Sequence, residues 1–167
     1  MSLSRLKRLA LIMPLALVSA GLGACSFQPV YSGRLAENPQ LQLAYAKPAT
    51  RLEQVVYQEL SLRLGETTTP TVPLVTLSVS GSVSAPYLSA TTNPNTPYEA
   101  TVTATATITA RDGGSDKPIS ITRTAKAQLT HSGQVLADTQ ADQEAQERAA
   151  RAAAESLRLA ILAALAG

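Results

Sequence analysis

From Tyr98 to Arg111 the chain alternates almost without a break. Tyr98, Ala100, Val102, Ala104, Ala106, Ile108 and Ala110 hold one phase, and Glu99, Thr101, Thr103, Thr105, Thr107, Thr109 and Arg111 hold the other. Side chains of a strand point to opposite faces in turn, so a period of two means a sheet strand with one buried and one polar face. That pattern fits an antiparallel sheet covered on one side only. Asp112-Gly113-Gly114-Ser115-Asp116 then reads as a hairpin loop. The returning strand, Ile119 to His131, carries Ile119, Ile121, Ala125, Ala127 and Leu129 in one phase, which Arg123 breaks. Upstream, Leu74 to Val83 alternates Val75, Leu77, Val79 and Val83 against Thr76, Ser78, Ser80 and Ser82. Pro86 to Pro97 is a polar loop between the two.

Two helices complete the set. Thr50 and Glu53 form a capping box, in which hydroxyl and carboxylate each satisfy a free backbone N–H. Leu52, Val55, Val56, Leu60 and Leu64 follow helical spacing, and Gly65 ends the run. The last helix is expected over about 140–165, capped by Asp138 or Thr139. Its stripe is Ala145, Ala149, Ala152, Ala153, Leu157, Ala160, Ile161, Ala164 and Leu165. So many alanines permit a close approach to a sheet. Charges from Asp142 to Arg158 interrupt every apolar run long enough to span a membrane. With a short strand over Leu41–Ala46, the expected fold is α+β, order β-α-β-β-β-α, two helices on one face of a four-stranded sheet. A chain of 167 residues suits one such domain, here 41–167.

Residues 1–24 read as an export leader. Arg5, Lys7 and Arg8 precede an apolar run from Leu9 to Leu22, too short to cross a bilayer comfortably, and small residues follow. Leu22-Gly23-Ala24-Cys25 resembles the lipobox of bacterial lipoproteins, and Cys25 is the only cysteine. The resemblance implies a diacylglycerol on the Cys25 thiol and an N-acyl chain on the new amino terminus. Several acyl chains would anchor the protein stably, where one binds only marginally. Ser26, in place of an inner-membrane retention Asp, implies sorting to the outer membrane. Residues 25–40, with Pro29, Gly33 and Pro39, read as a lipidated tether.

The remaining composition narrows the function. Without the three leader cations, Lys+Arg falls from 14 to 11 against 12 Asp+Glu. A near-neutral body lacks the basic excess of a nucleic-acid binder. One Cys and one His exclude a disulfide framework and Cys- or His-rich metal sites. His131, beside Ser132 and Gly133, reads as an exposed turn histidine rather than a catalytic base. Asp112 and Asp116 lack the ligand alternation of a calcium loop. No catalytic set and no phosphate-cradling glycine motif is present, so neither an enzyme nor a bound cofactor is expected.

Cys25-Ser26-Phe27-Gln28-Pro29-Val30-Tyr31 is similar to the Cys-Gly-Phe-(Arg/Gln)-Pro-Leu-Tyr opening of the LPS-assembly lipoproteins, the LptE family. The Ala-rich terminal helix with its Glu147-Arg148 and Arg151 charges resembles that family's last helix. The resemblance implies a non-enzymatic lipoprotein on the periplasmic side of the outer membrane. It implies a one-to-one complex with a large β-barrel, LptD, whose lumen it plugs and whose folding it helps, and a role in passing lipopolysaccharide to the outer leaflet. An auxiliary lipoprotein of intermembrane lipid transport, or a structural envelope lipoprotein, has the same leader and body size.

Lipopolysaccharide carries phosphates, so a contact surface should offer cations. Arg111, Lys117, Arg123 and Lys126 are the densest basic cluster of the sheet. Arg123 sits in the apolar phase and Lys126 in the other, so Arg111, Lys117 and Lys126 form the better set. The same cations could equally serve to blunt a sheet edge. For the anchor, Cys25→Ala should yield an unprocessed or unanchored protein on membrane fractionation. A band of mature size in the membrane fraction would contradict lipidation at Cys25.

Overall fold

The computed structural model describes residues 43–85, 95–111 and 117–166. They form β1 (Ala44–Tyr45), α1 (Arg51–Leu64), β2 (Leu74–Ser84), β3 (Thr96–Thr109), β4 (Ile119–His131) and α2 (Val135–Ala166). The sheet order is β1-β2-β3-β4. β1 runs parallel to β2, while β2–β3 and β3–β4 are antiparallel. The sheet is therefore mixed: β1-α1-β2 is a crossover unit, and β2-β3-β4 is a meander. The expected order of elements and the α+β class stand.

β3 is the spine of the sheet, paired along nearly its whole length on both sides. Its Ala100, Val102, Ala104, Ala106 and Ile108 are buried under the helices. Val75, Leu77 and Val79 of β2 continue that layer, and Val56, Leu60 and Leu64 of α1 close it from above. α2 contributes Ala149, Ala150, Ala153, Ala154, Leu157, Ile161 and Leu162. Alanine against alanine permits a close approach of α2 to β3, and the larger Leu157 and Ile161 are buried in the same core. At 32 residues, α2 is about 48 Å long, enough to run the full length of β3 and β4. No helix among the described residues is long and apolar enough to cross a membrane.

α1 is built at its ends as expected. Thr50 Oγ1 accepts the Glu53 N–H, and Glu53 Oε2 accepts the Thr50 N–H at 3.1 Å. Gly65 takes φ +82°, and its N–H bonds the Ser61 carbonyl. Across the helix pair, Arg51 meets Glu147, and Arg63 meets Glu155 at 3.0 Å. The two pairings run in the same sequence direction, so α1 and α2 lie parallel. Side chains of both helices come close over Gly81 of β2. A Cβ there would stand 2.8 Å from Leu52 Cδ1 and 3.0 Å from Gln146 Oε1.

Four expectations need correction. β1 covers only Ala44–Tyr45, so Leu43 and Ala46 of the strand expected over Leu41–Ala46 lie beyond its ends, while Leu41 and Gln42 lie outside the described residues. The strand expected over Tyr98–Arg111 spans Thr96–Thr109, so Thr96 and Pro97 open a strand instead of closing a loop. α2 begins at Val135, not near Gln140. Gly133 at φ +82° reverses the chain tightly enough for the helix to start at once. Finally, Ala152 and Ala164 are exposed, while Ala150, Ala154 and Leu162 are buried. α2 contacts both sheet and α1, so its buried arc is wider than a single stripe and turned toward α1. The loop expected over Asp112–Asp116 lies outside the described residues.

Candidate functional site

The face of the sheet opposite the helices is made of hydroxyls. The registers align Thr76, Thr107 and Ser120 in one row, then Ser78, Thr105 and Thr122, then Ser80, Thr103 and Thr124. Rows repeat about every 6.8 Å along a strand, and neighbours stand ~4.8 Å apart across strands. Thr103 and Thr124 share a hydrogen bond of 3.0 Å between Oγ1 atoms, and Thr105 and Thr122 one of 2.9 Å. Such pairs fix rotamers and leave the second lone pair of each oxygen free for another donor. Among the described residues no acid or base stands in these three rows. The next row, Ser82, Thr101 and Lys126, brings the first charge, and Lys126 Nζ bonds Glu99 Oε1 at 2.7 Å. The face is polar and nearly neutral, and among the described residues its three central rows hold nothing to activate a hydroxyl as a nucleophile.

Of the three cations expected to form one set, Arg111, Lys117 and Lys126, the last stands apart from the other two, and Arg123 lies on the other face, as its phase implies. Arg111 and Lys117 flank the end where β3 leaves and β4 begins, and Arg111 Nε donates to the Val72 carbonyl at 3.0 Å. Lys126 lies nine residues beyond Lys117 along an extended strand, about 30 Å away. It is already paired with Glu99. Arg123 pairs in register with Ala104, on the helix side, and its guanidinium donates to the Thr122 carbonyl at 2.8 Å. Only Arg111 and Lys117 share one end of the sheet, the end at which the chain enters β1. Cys25 lies outside the described residues.

The opposite end holds a cluster the sequence did not announce. His131 is not an exposed turn residue. It closes β4, its side chain is only 20% accessible, and Nε2 lies 2.7 Å from Asp142 Oδ1 of α2. Its ring stacks on Tyr98 with centroids 3.8 Å apart. Beside it, Asp138 accepts the backbone N–H of Ser132 at 2.8 Å and of Gly133 at 3.0 Å. Those bonds, with the nearby His131, hold the Asp138 carboxyl below the ordinary carboxylate range. Asp138 is thus no N-terminal cap in the expected position; from inside the first turn it reaches back and fastens the β4–α2 corner. The signal was present in the spacing of Ser132, Gly133 and Asp138, but only the reversed direction of the bond makes it legible.

At the entry end, Tyr45 packs edge-on against Tyr57, with centroids 5.6 Å apart. The Tyr57 hydroxyl donates to Glu66 Oε2 at 2.7 Å, which raises the Tyr57 pKa. Burial, with Glu66 nearby, drives the Tyr45 phenol well above its ordinary value, and its hydroxyl has no partner among the described residues.

A depressed carboxylate contributes stability that is present above its unfolded pKa, 3.8 for Asp138, and lost as pH falls through the lower folded value. Asp138→Ala should therefore unfold more readily than the parent at neutral pH. The gap between their urea midpoints should close below about pH 4. A gap independent of pH would show that the carboxylate does not fasten the corner.

A model of the LptE family, described as lipopolysaccharide-assembly, matches residues 39–161. Curated proteins return no match. The fold is similar to that of a candidate lipoprotein from Caulobacter crescentus CB15, at 20% identity and TM-score 0.57, over 75% of this chain and 91% of that one. It is also similar to rare lipoprotein B from Shewanella oneidensis, at 16% identity and TM-score 0.58, over 76% and 96%. A minor lipoprotein from Acinetobacter baumannii matches at 16% identity and TM-score 0.51, over 74% and 90%.

Proposed function

The chain belongs to the LptE family of lipopolysaccharide-assembly proteins, and on that footing we propose that it plugs and helps assemble an LptD-like outer-membrane barrel. The observation that carries this is the division of the sheet into a dry face under two helices and a hydroxyl face left open. Large barrels of the outer membrane have polar, water-filled interiors. A wall of Ser and Thr can trade water for barrel side chains with little desolvation cost, because no charge in its three central rows must be stripped. An apolar face would instead drive self-association.

Acyl chains on Cys25 would hold the protein to the periplasmic side of the outer membrane. β1 begins at the end of the sheet that carries Arg111 and Lys117, so a tether running from Cys25 into β1 would put these two exposed cations on the anchor side. These two are the proposed contacts for lipopolysaccharide phosphates. Lys126 and Arg123 serve the sheet, through Glu99 and the Thr122 carbonyl.

Mild detergent extraction of the tagged protein should bring down one large β-rich protein in one-to-one ratio. Arg111→Glu with Lys117→Glu should keep that complex and its thermal stability but lower the lipopolysaccharide it retains, most clearly at low salt, since exposed charges are screened over about 8–10 Å near physiological ionic strength. Recovery of only the free lipoprotein would favour an auxiliary role in lipid transport. Unchanged lipopolysaccharide in the complex of the double variant would remove the cation assignment alone.

A further inference from the structure

We propose that His131 is a proton-operated latch: its imidazolium ties the first turns of α2 to the end of β4, and loss of that proton near neutral pH frees the β4–α2 corner. The latch goes beyond the barrel reading and does not depend on it. His131 is the only histidine of the chain, and histidine is the side chain whose charge ordinarily changes between about pH 5 and 8. Its Nε2 lies 2.7 Å from Asp142 Oδ1 of α2. Its ring lies on that of Tyr98, with 3.8 Å between centroids and 25° between planes. The next two residues, Ser132 and Gly133, donate their backbone N–H groups to the Asp138 carboxylate, and the Ser132 hydroxyl donates to it at 3.3 Å. Three consecutive residues at the end of β4 thus hold two carboxylates that stand one helical turn apart.

The charges around the ring are of one sign. α2 presents Asp138 and Asp142, and β3 presents Tyr98 and, in register with His131, the uncharged Thr96. Glu99 and Lys126 belong to the other face of the sheet and pair with each other. Glu144 and Arg148 also pair, and Arg148 reaches the Gln128 carbonyl. Residues 86–94, between β2 and β3 in sequence, contain no Asp, Glu, Lys, Arg or His. Asp138 and Asp142 stand four residues apart on one helix, where like charges repel. An imidazolium between β4 and α2 offsets that repulsion, makes a charge-assisted bond to Asp142 and lies as a cation on the face of Tyr98. The neutral ring keeps at most an ordinary hydrogen bond and leaves two unbalanced carboxylates. What the latch holds in place is the first turn of α2, which carries the exposed Val135 and Leu136.

Residue-resolved amide exchange of the full chain in one detergent tests this, read between pH 5.5 and 8 and corrected for the intrinsic rate at each pH. The single imidazole is titrated by NMR in the same samples. Protection of the Ser132, Gly133 and Asp138 amides should fall about three- to tenfold across that range, with the midpoint of the ring titration. The Asp138 N–H bonds the Gln134 carbonyl, so it reports on the helical turn itself. The Gly65 N–H, at the C-terminal end of α1, should keep its protection. His131→Gln, which keeps a hydrogen-bond donor without the charge, should show the low protection at both ends of the range. Corner protection that stays constant while the ring titrates overturns the latch. So does an unchanged pH dependence in folded His131→Gln, which would place the proton on another group. An equal fall at Gly65 also overturns it, because the proton would then act on the whole fold. The titration of the parent chain decides the matter alone if the variant does not fold.

Discussion

The structure depends on the two-residue period of β3. Each even residue from Ala100 to Ile108 is buried and each odd residue from Thr101 to Thr109 faces away from the helices. Because a one-residue slip would send every Thr into the core and every Ala and Val into water, the register with both neighbours is strongly specified. Burying a Thr hydroxyl without a partner costs about 1–3 kcal/mol, so a slipped β3 is penalised at each of its positions. The strand thus sorts the molecule into a side that holds it together and a polar side left open.

The sorting reaches the helices through size. Alanine at Ala100, Ala104 and Ala106 leaves shallow ground, and α2 matches it with Ala149, Ala150, Ala153 and Ala154. Bulk is confined to Leu157, Ile161 and Leu162 on α2 and to Val56, Leu60 and Leu64 on α1. With only one Phe and no Trp in the sequence, close packing of small side chains has to supply what aromatic burial supplies elsewhere. Charged residues tie the periphery: Arg51 and Arg63 reach from α1 to Glu147 and Glu155, and Asp138 and Asp142 fasten α2 to the end of β4.

Much of this was legible in the sequence where a local rule had no competitor. The capping box at Thr50 and Glu53, the stop at Gly65 and the full span of β4 follow from neighbours within a few residues. The start of α2 did not, because Asp138 looked like a cap whereas its carboxylate bonds backward to Ser132 and Gly133. His131 looked exposed because its partners, Tyr98 and Asp142, are distant in sequence or on the next element. The basic cluster looked compact because Arg111 to Lys126 is short along the chain; an extended strand carries Lys126 about 30 Å from Lys117. Parallel pairing of β1 was hidden by its length of two residues. Contacts made across elements, not propensity, decided each of these.

The central claim is that β3 has a single register, with its Thr phase in water and its Ala phase under the helices. Cysteine labelling measures this directly. In the full chain carrying Cys25→Ser, cysteine in place of Thr105 should react with a maleimide at the rate of an exposed thiol. Cysteine in place of the adjacent Ala104 should react only as the protein opens, at least about a hundredfold more slowly. Equal rates at the two neighbouring positions, in a chain that still unfolds cooperatively, would contradict the account.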